Sequence, residues 1–152
     1  VEALRLAWSA EEAEFSGTWD TYTASWVFPK PTNGTVPIAL GNAGPLGIKH
    51  AAQYADEWAP IDVGVMNVDG KPDVFAGIER FRALADEAGR DGASIPISLY
   101  IWGRPNHERL ESYAEAGVTQ FIFTPVNFEL PSADETLRYL DELDITLETF
   151  HS

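Results

Sequence analysis

From residue 36 onward, short apolar runs alternate with longer stretches whose apolar residues recur every three or four positions. The runs at 36–40, 57–60, 95–102 and 118–124 read as strands. The stretches 45–56, 72–88, 106–116 and 133–143 read as amphipathic helices. In the second of these, Val74, Phe75, Ile78, Phe81, Leu84, Ala85 and Ala88 follow the helical spacing. Gly89 and Gly117 stand where helix-terminating residues belong. Ser132 and Glu135 have the spacing of a capping box. The run 118–124 is nearly all apolar, as a strand covered on both faces should be. The tail 144–152 fits no single element.

Strands alternating with helices of about ten or more residues imply βα units and a parallel sheet. Four such units are expected. Four are too few to close an eight-stranded barrel, so the fold class is α/β, either a small open sheet or half of a (β/α)8 TIM-type barrel. The segment before residue 36 has a different texture. A short helix over 1–8 places Leu4, Ala7 and Trp8 on one side, and Ser9 with Glu12 fits a second capping box opening another helical turn that Gly17 ends. Residues 18–31 carry Trp19, Tyr22, Trp26 and Phe28 among threonines and read as an extended hairpin or loop. The organisation expected is one domain over 1–152: a helix and aromatic loop over 1–35, βα units over 36–143, and a tail.

Composition narrows the function classes. The chain of 152 residues contains five tryptophans and eight phenylalanines, enough for a packed core, and no cysteine, which rules out disulfides and thiolate metal sites. The formal net charge of −14 argues against nucleic acid and anionic membranes as partners. No apolar run approaches the ~20 residues of a membrane span. No signal peptide is visible, and the cytoplasm is the expected location. The chain opens on Val1 rather than Met, which fits either residues upstream or a non-ATG start.

The strongest chemical feature is VPIALGNAGP at 36–45. An apolar strand ends in the small-residue turn Gly41-Asn42-Ala43-Gly44, and Pro45 suits the first turn of a helix. Such a turn aims backbone N–H groups and the positive end of a helix dipole at one point, which is a natural anion site with phosphate as the usual occupant. A tight strand-to-helix connection without a ligand is the alternative. His50, one turn further on, suits proton transfer or phosphate flanking, but an ordinary surface or half-buried position is expected.

This turn and several further stretches resemble the luciferase-like monooxygenase family, most closely its deazaflavin (coenzyme F-420) branch. The resembling stretches are PKP at 29–31, VPIALGNAGP at 36–45, HAAQYADEWAP at 50–60, GIERFRALADEAGRD at 77–91 and RLESYAEAGVTQFIF at 109–123. The resemblance implies a (β/α)8 barrel of about twice this length, of which this chain is similar to the C-terminal half. It implies Gly41, Asn42, Ala43 and Gly44 as the binding turn for the phosphate of FMN or a deazaflavin, acting on a small-molecule substrate. It assigns no catalytic residue here. Trp58 is expected to pack and Asp56 to fix a turn.

Other motifs carry less. His107, Glu108 and Glu111 form H-E-x-x-E, which lacks the second imidazole of a zinc helix. Asn67-x-Asp69-Gly70 lacks the bidentate glutamate of a calcium loop. A metal site is not expected. Ser25, Ser94 and Ser98, with His50, His107 and His151, supply the parts of a hydrolase, but no nucleophile elbow singles any of them out. The aromatic group at 19–28 is expected to pack over apolar surface. Half a barrel has open edges and an inner face, and residues among Ile97, Leu99, Ile101, Phe121 and Phe123 are expected to meet a missing half. Self-association into a homodimer or larger assembly follows. The function expected is flavin- or deazaflavin-dependent oxidoreduction or its remnant. The alternatives are a small esterase-like hydrolase with a pocket at an oligomer interface, and a non-catalytic half-barrel assembly domain.

Overall fold

A computed structural model describes residues 1–67, 69–104, 106–123 and 132–150. The chain forms two compact units, Val1–Ile38 and Ala39–Ser152.

The first unit consists of helix α1 (Glu2–Ser9) and an antiparallel hairpin of β1 (Ala13–Ser16) and β2 (Thr21–Ser25). The helical turn expected after Ser9 is instead this first strand. Ser9 closes α1, its hydroxyl donating back to the Arg5 carbonyl at 2.9 Å, so it cannot also open a helix. Ala13 then turns inward and Glu14 outward, the period of a strand. Gly17 N–H donates to Asp20 O at 2.8 Å across the hairpin turn, and Tyr22 stacks on Phe15. The Lys30 ammonium donates to the carbonyls of Ala7 (2.7 Å) and Ala10 (2.6 Å), satisfying the C-terminus of α1. The packing role expected of the other aromatics is not what the structure shows: Trp19 is 97% exposed, and Trp26 and Phe28 are also exposed. Trp19 lies in the turn between the strands and Trp26 and Phe28 lie beyond β2, so no strand face turns them inward.

The second unit holds the parallel strands β3 (Ala39–Leu40), β4 (Glu57–Trp58), β5 (Ser98–Ile101) and β6 (Gln120–Phe123). β3 pairs with β4 and β5 with β6. Parallel bridges Trp58↔Ile97 and Ile61↔Tyr100 join the two pairs, with Trp58 N–H donating to Pro96 O at 3.1 Å and Tyr100 N–H to Pro60 O at 2.9 Å. The strand order is therefore β3-β4-β5-β6. All four strands are shorter than their apolar runs. Pro37, Pro60 and Pro96 fall inside three of those runs, and a proline has no N–H to give a ladder. Thr124, the expected end of the fourth, lies outside the described residues, as does His151.

Helices α2 (Pro45–Tyr54), α3 (Val74–Glu87) and α4 (His107–Glu115) connect these strands, and α5 (Ala133–Phe150) follows them. Asp73 caps α3 by accepting from Ala76 N–H at 3.0 Å, and Asn106 caps α4 by accepting from Arg109 N–H at 2.8 Å. Gly89 and Gly117 take positive φ just beyond their helices. The Ser132–Glu135 capping box forms in both directions. α5 runs past residue 143 because no Gly or Pro stops it, and Leu147 packs against the core.

The core lies on the helix side of the sheet. Trp58 stacks on Phe81 with centroids 4.8 Å apart, and the small face of α2 (Ala51, Ala52, Ala55) lets α3 approach closely. Arg90 donates to the carbonyls of Ala52 (2.9 Å) and Ala55 (2.7 Å), closing the end of α2. Ile97, Leu99 and Ile101 are fully enclosed in this core, with Phe121 and Phe123 packed against it. These residues therefore face the helices and not a missing half. Alternation sends Ser98, Tyr100, Gln120 and Ile122 to the other face, where the Ser98 hydroxyl donates to Gln120 Oε1 at 3.0 Å.

Candidate functional site

The C-terminal ends of parallel strands are where α/β sheets place their ligands. Here that rim carries the 41–44 turn after β3, a short 3-10 turn Asp62–Gly64 beyond β4, and Trp102-Gly103-Arg104 after β5.

The 41–44 turn is held from below. Trp58, buried in the core, donates its indole N–H to Asn42 O at 3.1 Å. Asn42 lies directly over Gly47 in the first turn of α2, where no Cβ could fit. A Cβ at Gly41 would stand 3.1 Å from Ala59 O, so close approach of two strand ends accounts for that glycine. Gly44 differs: it has ordinary φ (−70°), and a Cβ there would meet nothing within 4 Å. Its side of the turn is open. Gly44 is the N-cap of α2, no side chain caps it, and Pro45 has no N–H. Ile48 N–H is the first to find a helical acceptor, Gly44 O at 2.9 Å. The earlier N–H groups of Leu46 and Gly47 have no acceptor inside the helix. Strand, turn and uncapped helix start thus come together as expected, with neutral backbone donors and an unobstructed approach.

His50 lies half-buried, one of the positions expected, with its ring tilted against Tyr54. His107 faces Glu111 at 3.7 Å along one helix face. Asn67 Oδ1 accepts from the N–H groups of Asp69 and Lys71, forming a turn. The hydroxyls of Ser25, Ser94 and Ser98 each donate to a neighbouring oxygen, Thr23 O, Asp91 O and Gln120 Oε1.

Sequence reasoning missed a second element of the rim. Asp62 is 2% exposed, yet its carboxylate is fully engaged. Oδ1 accepts from Val63 N–H (2.7 Å) and Trp102 N–H (3.1 Å), and Oδ2 pairs with the Arg109 guanidinium. Arg109 also donates to Trp102 O at 3.2 Å and lies over the Tyr113 ring. One ion pair therefore ties the ends of β4 and β5 to α4. It borders a hollow of about 190 Å³ whose walls include Val63, Phe75 and Tyr113. Nothing local in the sequence distinguishes Asp62 from an exposed loop aspartate. On α5, the Glu135 carboxyl is held below the usual range by the Ser132 backbone N–H first and its hydroxyl second. Burial raises the Tyr139 hydroxyl, against a smaller opposing effect of Arg104.

The family model for luciferase-like monooxygenases matches residues 1–146. Uncharacterised proteins of Mycobacterium tuberculosis and Mycobacterium bovis are 31% identical over 146 residues, covering 94% of this chain and 47% of the relative. The solved structure of an F-420-dependent secondary alcohol dehydrogenase in complex with an F-420–acetone adduct superposes with a TM-score of 0.52 at 18% identity, over 93% of this chain and 50% of that one. The chain thus spans about half the length of the relatives it matches, and its parallel βα units are part of their barrel fold. It belongs to the luciferase-like monooxygenase family.

Proposed function

We propose that the chain is the phosphate-holding part of a flavin- or deazaflavin-dependent oxidoreductase, with FMN or coenzyme F-420 as the cofactor. The observation that carries this reading is the 41–44 turn: an uncapped helix start with open space at Gly44, on the rim where this family's fold places ligands. The residues fit a phosphate. The backbone N–H groups of Leu46 and Gly47, which have no acceptor inside the helix, would donate to its oxygens, and the α2 dipole favours its charge. Trp58 fixes the turn through Asn42, so little reorganisation accompanies binding. Neutral donors suit an acidic chain, because they need no local cation to remain in place. The bound ring would supply the hydride chemistry. The residues of this chain bind and orient.

The test is a titration of the chain with FMN and with coenzyme F-420, followed by fluorescence, in the wild type and in Gly44→Asp. Aspartate is a good N-cap, worth about 1 kcal/mol to a helix, so the variant should fold at least as well. Its carboxylate would occupy the donors and repel a phosphate. Micromolar binding of one cofactor, weakened tenfold or more in the variant, is expected. Absence of binding to both, or binding indifferent to Gly44→Asp, overturns the reading and favours a non-catalytic assembly domain.

A further inference from the structure

The hollow beside the Asp62–Arg109 pair is formed within the run 62–113, from the 62–64 turn, the start of α3 and one face of α4. A guanidinium has five N–H groups. Arg109 uses three of them, on Asp62, on Trp102 O at 3.2 Å and on the Tyr113 hydroxyl oxygen at 3.4 Å. Two remain. Tyr113 is only 9% exposed. Its oxygen accepts from Arg109, and among the described residues no acceptor takes its proton. At the start of α3, Asp73 Oδ1 accepts from Ala76 N–H at 3.0 Å, which leaves the N–H groups of Val74 and Phe75 without an acceptor inside the helix. Donors therefore outnumber acceptors around the hollow. The Asp62 carboxylate is already engaged on both oxygens, and Arg109 balances its charge. Asp73 carries the remaining negative charge, offset by the Ala76 N–H and the positive end of α3. The Phe75 and Tyr113 rings meet at an angle with centroids 5.7 Å apart, and Val63 adds an apolar wall.

We propose that this hollow binds a small monocarboxylate whose body is no larger than one ring. The carboxylate oxygens accept from the Tyr113 hydroxyl and from the remaining Arg109 N–H groups, and hydrogen bonds of a carboxylate to a guanidinium are of the strong, charge-assisted kind. Phe75 and Tyr113 supply the apolar contact for the body. A cavity of about 150 Å³ holds a benzene ring, so a hollow of about 190 Å³ takes a ring with its carboxylate. An ammonium ligand would face Arg109 and a surplus of donors. A neutral molecule of the same shape would fill the walls but forgo the charge-assisted bonds. The inference does not rest on cofactor binding at the 41–44 turn, so the two can fail separately.

The experiment is a titration of the 152-residue chain with benzoate, followed by calorimetry and by amide chemical shifts, with benzyl alcohol as the neutral control. Saturable binding of benzoate at about millimolar affinity or tighter is expected for a ligand this small, with benzyl alcohol much weaker. Tyr113→Phe removes the hydroxyl alone and should weaken benzoate about tenfold, the effect of one hydrogen bond to a charged group. Asp73→Asn keeps a good N-cap and removes the opposing charge, so it should tighten benzoate severalfold. Val63→Trp fills the hollow from an exposed position and should abolish binding. Should a variant fail to fold, the wild type decides: the amides of Val63, Val74 and Phe75 shift as benzoate saturates. No saturation at millimolar benzoate, equal binding of benzyl alcohol, binding indifferent to Tyr113→Phe and Val63→Trp, looser binding in Asp73→Asn, or shifts confined to residues outside 62–113 overturns the proposal.

Discussion

Single residues on the rim do work that their neighbours in sequence do not announce. Asp62 carries a charge into a place with almost no solvent, and three donors make that tolerable. Asp62→Ala would leave the Trp102 N–H and a three-quarters-buried guanidinium without their acceptor. A loss of about 3 kcal/mol in denaturant unfolding is expected, the low end for breaking a buried pair because Arg109 keeps some solvent contact. Adding Arg109→Leu should recover part of it, since the unpaired charge is then gone. Asn42 and Trp58 show the same logic without charge: the turn was legible as a turn, but its anchor to the core was not, because the indole partner is 16 residues away.

At the scale of elements, helix starts from residue 45 onward were legible and strand ends were not. Caps are short-range chemistry, and Asp73, Asn106 and Ser132 each act within three residues of themselves. The α5 cap has a pH signature. Glu135 has a folded pKa below its ordinary value, so its contribution is present above the ordinary glutamate range and is lost as pH falls through the lowered folded value. Glu135→Ala should lower the helicity of α5 at neutral pH by circular dichroism, and the difference from wild type should vanish in acid. Between elements, Gly77 is where α3 meets Val65, and a Cβ there would overlap the valine. Gly77→Ala gains helix propensity of up to about 1 kcal/mol, but overpacking costs about 1–3 kcal/mol. Net destabilisation in thermal unfolding is expected, relieved by a second change, Val65→Ala.

At the scale of the whole molecule, charge governs behaviour. The formal net charge of −14 makes the folded chain repel itself, so its stability should rise with salt. Thermal unfolding should show a higher midpoint as ionic strength rises toward 1 M, where the screening length falls to about 3 Å. A midpoint that falls with salt would point to attractive ion pairs that outweigh this repulsion. No helix among the described residues is long and apolar enough to cross a membrane.

Hydrophobic period, capping residues and small-residue turns act over a few positions, and these fixed the βα alternation, the helix starts, the 41–44 turn and the resemblance to a family from the sequence alone. What the tertiary structure decided depends on partners distant in the chain. Ile97, Leu99 and Ile101 could have faced either side of the sheet, because an apolar run has no direction until helices pack against one face. The 13–16 segment became a strand because residues 21–25 were there to pair with it, which overrode a capping motif of suitable spacing. Trp19, Trp26 and Phe28 were expected to cover apolar surface, but Trp19 lies in the hairpin turn and the other two beyond β2, and only the folded chain shows that nothing packs over them. The Asp62–Arg109 pair, 47 positions apart, exists only because β4, β5 and α4 converge on one rim.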